Sequence, residues 1–215
     1  MSMPTPRGAC TTCGKTWTSR GMSRHIAACR GQGRHLHLRF ADASSPLWWL
    51  HLAVAPTATL RDVDQFLRAI WLECCGHLSA FTIGHVRYDA LPDLDDWGPP
   101  SGSMDTGMNS VLSEGVKFIH EYDFGSTTRL AGQMIGLVRG GRSKVEVLAR
   151  NGDIPWTCNC EQPATALCMH CGALVCDACM LETPECSTCE CSWEECALPV
   201  LNSPRMGVCG YDGEP

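Results

Sequence analysis

Residues 35–71 read HLHLRFADASSPLWWLHLAVAPTATLRDVDQFLRAIW, and this stretch decides the fold. Leu36, Leu38 and Phe40 alternate with polar residues, the period-two pattern of a half-buried strand. ASSP is a turn, and LWWLHLAVA reads as the antiparallel partner. Thr59 supplies a helix N-cap. Beyond it Leu60, Val63, Phe66, Leu67, Ile70 and Trp71 share one helical face, and the pair Cys74-Cys75 at its end is expected to pack inside. Downstream, residues 80–90 (AFTIGHVRYDA) read as a strand broken into a hairpin at Gly84. Residues 92–109 are rich in Pro, Gly, Asp and Ser and read as loop. VKFIHEYDF and TTRLAGQMIGLV flank a turn at Gly125-Ser126, and SKVEVLAR is a last strand. The order β-β-α-β-β-β-β predicts an α+β domain over residues 35–150, a mainly antiparallel sheet with one principal helix.

Outside that core the chain changes character. Of its 16 cysteines, three precede residue 30 and eleven lie between Cys158 and Cys209, so the middle is nearly free of them. The N-terminal residues carry no apolar run of a leader, and PLWWLHLAVAP is too short to span a bilayer. A cytoplasmic, reducing compartment without a membrane partner is expected, and there clustered Cys-x-x-Cys pairs indicate metal. Charge is segregated within the net −6 of the whole chain. Residues 1–39 carry seven basic and no acidic side chains, residues 40–150 nine against thirteen, and residues 151–215 one against ten. Only the N-terminal arm attracts phosphate; the acidic tail repels it.

Residues 10–29 read CTTCGKTWTSRGMSRHIAAC. Cys10, Cys13, His25 and Cys29 have the spacing of a small ββα zinc finger over residues 1–33, with Trp17 and Met22 as its miniature core. Arg7, Lys15, Arg20, Arg24, Arg30 and Arg34 are the candidate nucleic-acid contacts, through phosphate rather than base edges. One finger spans about three base pairs, too few for specificity.

The tail, residues 151–215, reads CNCEQPATALCMHCGALVCDACMLETPECSTCECSWEEC from Cys158 onward. Its close pairs suit an interleaved two-ion arrangement: Cys158 and Cys160 with Cys176 and Cys179, and Cys168 and Cys171 with a later pair. That later pair is either Cys186-x2-Cys189, the commoner spacing, or Cys189-x-Cys191, which mirrors Cys158-x-Cys160. About three structural zinc ions are expected in all, each with a full protein ligand set and no open position for substrate. Cys196 and Cys209 are spare thiols or a further ligand.

HLHLRFADASSPLWWLHLAVAPTATLRDVDQFLRAIW, GHLSAFTIGHVRY and FIHEYDFGSTTR together resemble the plasmid pRiA4b ORF-3-like family. The matching residues are Pro46, Trp48, Thr59, Leu60, His77, Leu78, Phe81, Tyr122, Asp123, Phe124 and Gly125. LPVLNSPRMGVCGYDGE resembles the ending of members with a cysteine-rich extension, which implies Cys189 and Cys191 as the later ligand pair. The chain departs from the family at Trp49 and Leu50, at Ser79, and at Ser126, Thr127 and Thr128, where polar family residues are lost. The resemblance implies no settled activity.

Two functions follow as expectations. One is a zinc-binding adaptor whose basic finger, residues 1–34, contacts nucleic acid or a protein partner and whose acidic tail docks another protein. The alternative is an enzyme with a polar site at His77, His120, Asp123 and Arg129. The bland reading of that quartet, a turn-capping Asp and ordinary strand histidines, is favoured over it. No phosphate loop or nucleophile elbow is present in the chain.

Overall fold

In the computed structural model, residues 6–91 and 101–213 are described; the first half of the expected 92–109 loop lies outside them. The chain forms two compact units, Met1–Ala69 with His77–Gly152, and Ile70–Gly76 with Asp153–Pro215. It is an α+β protein.

The first unit is built on an eight-stranded sheet. Its elements are β1 (Arg7–Ala9), β2 (Thr16–Thr18), α1 (Ser19–Arg30), β3 (His35–Asp42), β4 (Trp49–Val54), α2 (Leu60–Leu67), β5 (Ser79–Ile83), β6 (Val86–Asp89), β7 (Gly102–Ser103), α3 (Met108–Val111), β8 (Lys117–Tyr122), β9 (Thr128–Val138) and β10 (Val145–Arg150). The sheet order is β10-β4-β3-β9-β8-β5-β6-β7, antiparallel except for the β6–β7 pair. The short β7 and α3 occupy what reads as loop by composition. The hairpin break at Gly84, with φ +60°, joins β5 and β6.

Helix α2 starts on a capping box: the Asp62 N–H donates to Thr59 Oγ1 and the Thr59 N–H to Asp62 Oδ2. It runs on into one wide turn over Arg68–Leu72. Leu60, Val63 and Leu67 are buried as their spacing predicts, and so is Asp64, which the apolar pattern does not anticipate.

Every residue of β4 is buried. Register explains why. Leu50, Leu52 and Val54 pair with Phe40, Leu38 and Leu36, and Phe40 meets Phe118 edge to face on that side. Trp49, His51 and Ala53 point to the other side, where Met22 and Ile26 of α1 close over Trp49, Ala53, Val138, Leu148 and Ala149. The finger segment is thus a second layer on the sheet. Polar contacts hold it along its length. Thr11 Oγ1 donates to the Leu148 carbonyl at 3.0 Å, Arg30 pairs with Glu146 at 2.6 Å, and the Trp49 indole N–H donates to the Pro6 carbonyl. Gly8 runs so close to β10 that a Cβ there would sit 1.8 Å from the Arg150 carbonyl oxygen.

This layer also buries His37, which alternation alone would leave at the surface. His51 Nε2–H donates to the Ser19 carbonyl at 3.1 Å, so His51 Nδ1 accepts from His37 Nε2–H at 2.9 Å. Burial holds His37 down to about 4, and burial together with its neighbour holds His51 down to about 3, so both rings are neutral at pH 7.

The second unit carries a three-stranded sheet, order β12-β11-β13, from β11 (Ala166–Cys168), β12 (Leu174–Val175) and β13 (Ala197–Pro199). Two short helices, α4 (Asp177–Glu182) and α5 (Trp193–Cys196), complete it. Its core is mostly sulfur: Cys158, Cys168, Cys176, Cys186 and Cys196 pack with Ala166, Val175 and Trp193. So few large side chains give little hydrophobic driving force, and metal is the natural substitute. Among the described residues no helix is long and apolar enough to cross a membrane.

Candidate metal centres

In the finger, β1 and β2 pair with Gly8 opposite Trp17 and leave a tight knuckle between them. The Gly14 N–H donates to the Cys10 carbonyl at 2.8 Å and the Cys10 N–H to the Lys15 carbonyl at 3.0 Å. The turn needs a left-handed residue just after the second cysteine, and Gly14 (φ +72°) provides it. In α1, His25 and Cys29 lie one turn apart on the same stripe as Met22 and Ile26, and Cys29 packs beside that cluster. The donor atoms of Cys10, Cys13, His25 and Cys29 all lie within 4.8 Å of one another. Cys13 Sγ and His25 Nε2 are 3.2 Å apart, and Trp17 stacks on the imidazole at 5.5 Å.

Burial opposes ionisation of Cys10, but the N–H groups of Thr12 and Cys13 aimed at its sulfur more than offset this and bring the thiol down to about 6. Cys29 is pushed up to about 11, by burial and then by the neighbouring thiols. One thiolate thus resists the next, and a dication removes the conflict. That donor set fits a metal ion.

The tail repeats the same device. After Cys171, Gly172 (φ +73°) donates to the Cys168 carbonyl while the Cys168 N–H reaches the Ala173 carbonyl, both at 2.8 Å. After Cys189, Glu190 (φ +61°) donates to the Cys186 carbonyl and the Cys186 N–H reaches the Cys191 carbonyl, again at 2.8 Å. After Cys160, Glu161 (φ +67°) donates to the Cys158 carbonyl at 2.9 Å. The fourth pair, Cys176 and Cys179, sits at the N-terminus of α4, whose N-cap is Cys176.

These elements bring two thiol quartets together: Cys158, Cys160, Cys176 and Cys179, and Cys168, Cys171, Cys186 and Cys189. For the later pair the sequence left two readings open, Cys186 with Cys189 and Cys189 with Cys191. Cys191 also lies beside Cys189, its Sγ 3.3 Å away and 3.4 Å from Cys168 Sγ, and it forms a triplet with Cys168 and Cys196, while Cys186 completes the quartet. The repeated knuckle hydrogen bonds mark Cys186, a signal that spacing alone left balanced against Cys-x-Cys.

Sγ separations of 3.5 Å for Cys160–Cys176, Cys168–Cys189 and Cys171–Cys186 are far from disulfide contact. They lie near the edge of about 3.8 Å that a tetrahedron of Zn–S bonds requires. Burial works against the Cys168 thiolate, but the Cys171 and His170 N–H groups bring it down to about 5. The His170 side chain is exposed and joins no group. Replacing Cys186 by Ser is expected to remove one metal equivalent under native mass spectrometry, whereas Cys191→Ser keeps it. The reverse loss would restore the pairing expected from sequence.

The polar quartet is not assembled. His120 is fully buried and its Nε2 meets Asp64 Oδ1 at 2.7 Å. Arg129 lies on the opposite side of the sheet in a 2.6 Å pair with Glu121. His77 Nδ1 is 3.7 Å from Asp123 Oδ1, but Asp123 (φ +62°) uses that oxygen to accept from the Gly125 N–H at 3.0 Å, as a turn residue does. Of the six basic finger residues, Arg7, Lys15, Arg20, Arg24 and Arg34 are exposed; Arg30 is engaged by Glu146. A cleft of about 640 Å³ opens beside the start of α1, lined by Thr18, Arg20, Arg39 and Ser44 and also by Asp42.

No family model and no curated protein matches the chain. Among solved structures it is similar to a protein of unknown function, MM3350 from Methanosarcina mazei Go1, with 17% identity and a TM-score of 0.45 over 54% of this chain and 67% of that one.

Proposed function

We propose that the protein is a zinc-dependent adaptor of the pRiA4b ORF-3-like family. Its finger contacts nucleic-acid phosphates, and its acidic tail docks a protein partner. The observation that carries this reading is the division of the finger into two faces. Met22 and Ile26 seal the inner face against the sheet. The outer side keeps five exposed cations in a segment without one acid. Zinc is the ion that cysteine and histidine quartets at tetrahedral spacing suit best.

The Ser19 carbonyl, in the first turn of α1, faces buried His51, so that turn is turned toward the sheet rather than free to enter a groove. This supports phosphate contact over base reading. Arg20 and Arg39 flank the cleft beside α1, and Arg39 feels both burial and the charge of Arg20, which together favour an anion there.

The test is fluorescence anisotropy on a short DNA duplex across a salt series. Each phosphate contact contributes about 0.9 to the slope of log K against log salt. Arg20→Ala with Arg24→Ala should shallow that slope by about 2 and leave the fold intact. Binding absent at low salt, or a slope unmoved by the two substitutions, would refute the nucleic-acid reading. Substitution is preferable to deletion, because removing residues 1–34 strips a layer from the sheet.

A further inference from the structure

Three thiols of the second unit lie outside every centre described above. Cys74 and Cys75 follow the wide turn that ends at Leu72, and Cys209 lies in the C-terminal turns; their sulfurs gather within 4.8 Å of one another. The pair was expected to pack inside, yet Cys75 is exposed and Cys74 half-buried. Cys209 is exposed as well, and it holds φ +53°, a left-handed conformation that a cysteine rarely adopts without a reason.

The surroundings are built for negative charge. Arg205 is the one basic residue between 151 and 215, and it is fully buried. Its guanidinium Nη2 lies 3.4 Å from Cys74 Sγ. The turn that carries it is anchored where the Arg205 N–H donates to Ser203 Oγ at 2.9 Å, while Ser203 Oγ donates to the Trp71 carbonyl at 2.7 Å. A buried guanidinium beside a sulfur is a ready counter-charge for an anionic metal centre.

We propose that Cys74, Cys75 and Cys209 bind a further zinc ion, with Arg205 as its charge partner. Three thiols and Zn²⁺ give a tris-thiolate centre of charge −1 and release three protons. The Arg205 cation brings the site to neutrality, which lets it sit beside a buried residue. The fourth position falls to water. The ion would tie residues 70–76 to the C-terminal turns within the second unit.

The experiment is native mass spectrometry of the full-length protein under reducing conditions with zinc supplied. The wild type is compared with Cys75→Ser/Cys209→Ser, whose two exposed sites tolerate substitution. The expected result is one zinc fewer in the double variant, together with a lower melting temperature. Equal zinc content in the two proteins overturns the proposal, whatever the total, so failure of the other centres registers separately. A cobalt titration adds a spectroscopic arm. The wild type should show one more equivalent of thiolate-to-cobalt charge-transfer absorbance than the variant, and identical end points would sink the site.

Discussion

Cys10→Ser should lower the melting temperature of the unit that contains the large sheet by roughly 10 °C, although Cys10 belongs to the finger. The substitution removes a ligand whose thiol is already held near 6, so metal loss follows. Without metal, a helix of 12 residues has little to keep it formed. Met22 and Ile26 then leave the face made by Trp49, Ala53, Val138, Leu148 and Ala149. Uncovering two large side chains and their platform costs about 4 kcal/mol or more. In a domain of this size each kcal/mol shifts the melting point by about 2–4 °C. Calorimetry of wild type and variant measures it. Hydrogen exchange adds a local readout, because the amides of Leu148 and Ala149 should lose protection. A variant that loses finger metal yet melts within about 2 °C of wild type would show that the finger rides on the sheet without supporting it.

Asp64→Ala should destabilise the same unit by about 3–5 kcal/mol, the range for removing one partner of a buried ion pair. Asp64 takes His120 Nε2 on one oxygen at 2.7 Å and Arg68 Nε on the other at 2.9 Å. Arg68 also donates to the His77 carbonyl at 2.6 Å and to Ser79 Oγ at 2.9 Å, and lies over the Tyr122 ring. Alanine leaves a guanidinium and an imidazole facing an apolar gap. Burial raises the Asp64 carboxyl, but His120 and Arg68 outweigh it and hold the group below the usual carboxylate range. The stabilisation is therefore complete at neutral pH and is lost as pH falls through that lowered value. Denaturant titrations at pH 7 and pH 3 should show the gap between wild type and Asp64→Ala shrinking at the lower pH. A gap unchanged with pH would mean that packing, not charge, carries Asp64. Asp64→Asn, which keeps one acceptor oxygen, should lie between the two.

The strands and principal helix were legible because their burial is periodic. Leu36, Leu38 and Phe40 announce β3, and Thr59 with Asp62 announces α2. What escaped was everything set by a second layer. His37 sits at an outward position of β3 and becomes buried only because α1 covers it. Asp64 lies among the apolar residues of α2 because His120 and Arg68 come from elsewhere in the chain. Neither fact has a local signature. The finger ligands could be read from spacing, since a knuckle and one helical turn fix all four. In the tail, spacing left Cys186 and Cys191 balanced. The decisive feature was a backbone turn with Glu190 left-handed, where glycine would have advertised it. Cys74, Cys75 and Cys209 lie too far apart in the chain for any spacing rule.

The docking of α1 has a consequence for the order of events on the ribosome. The finger is synthesised before part of its platform, because Leu148 and Ala149 arrive only with β10. Until β10 emerges, a metal-loaded finger would exist as a finished piece with Met22 and Ile26 uncovered. Its last contact joins the two ends of a long loop, the kind of distant closure that slows folding. Metal supply at that stage would decide whether a preformed helix or a slack segment meets the closing sheet.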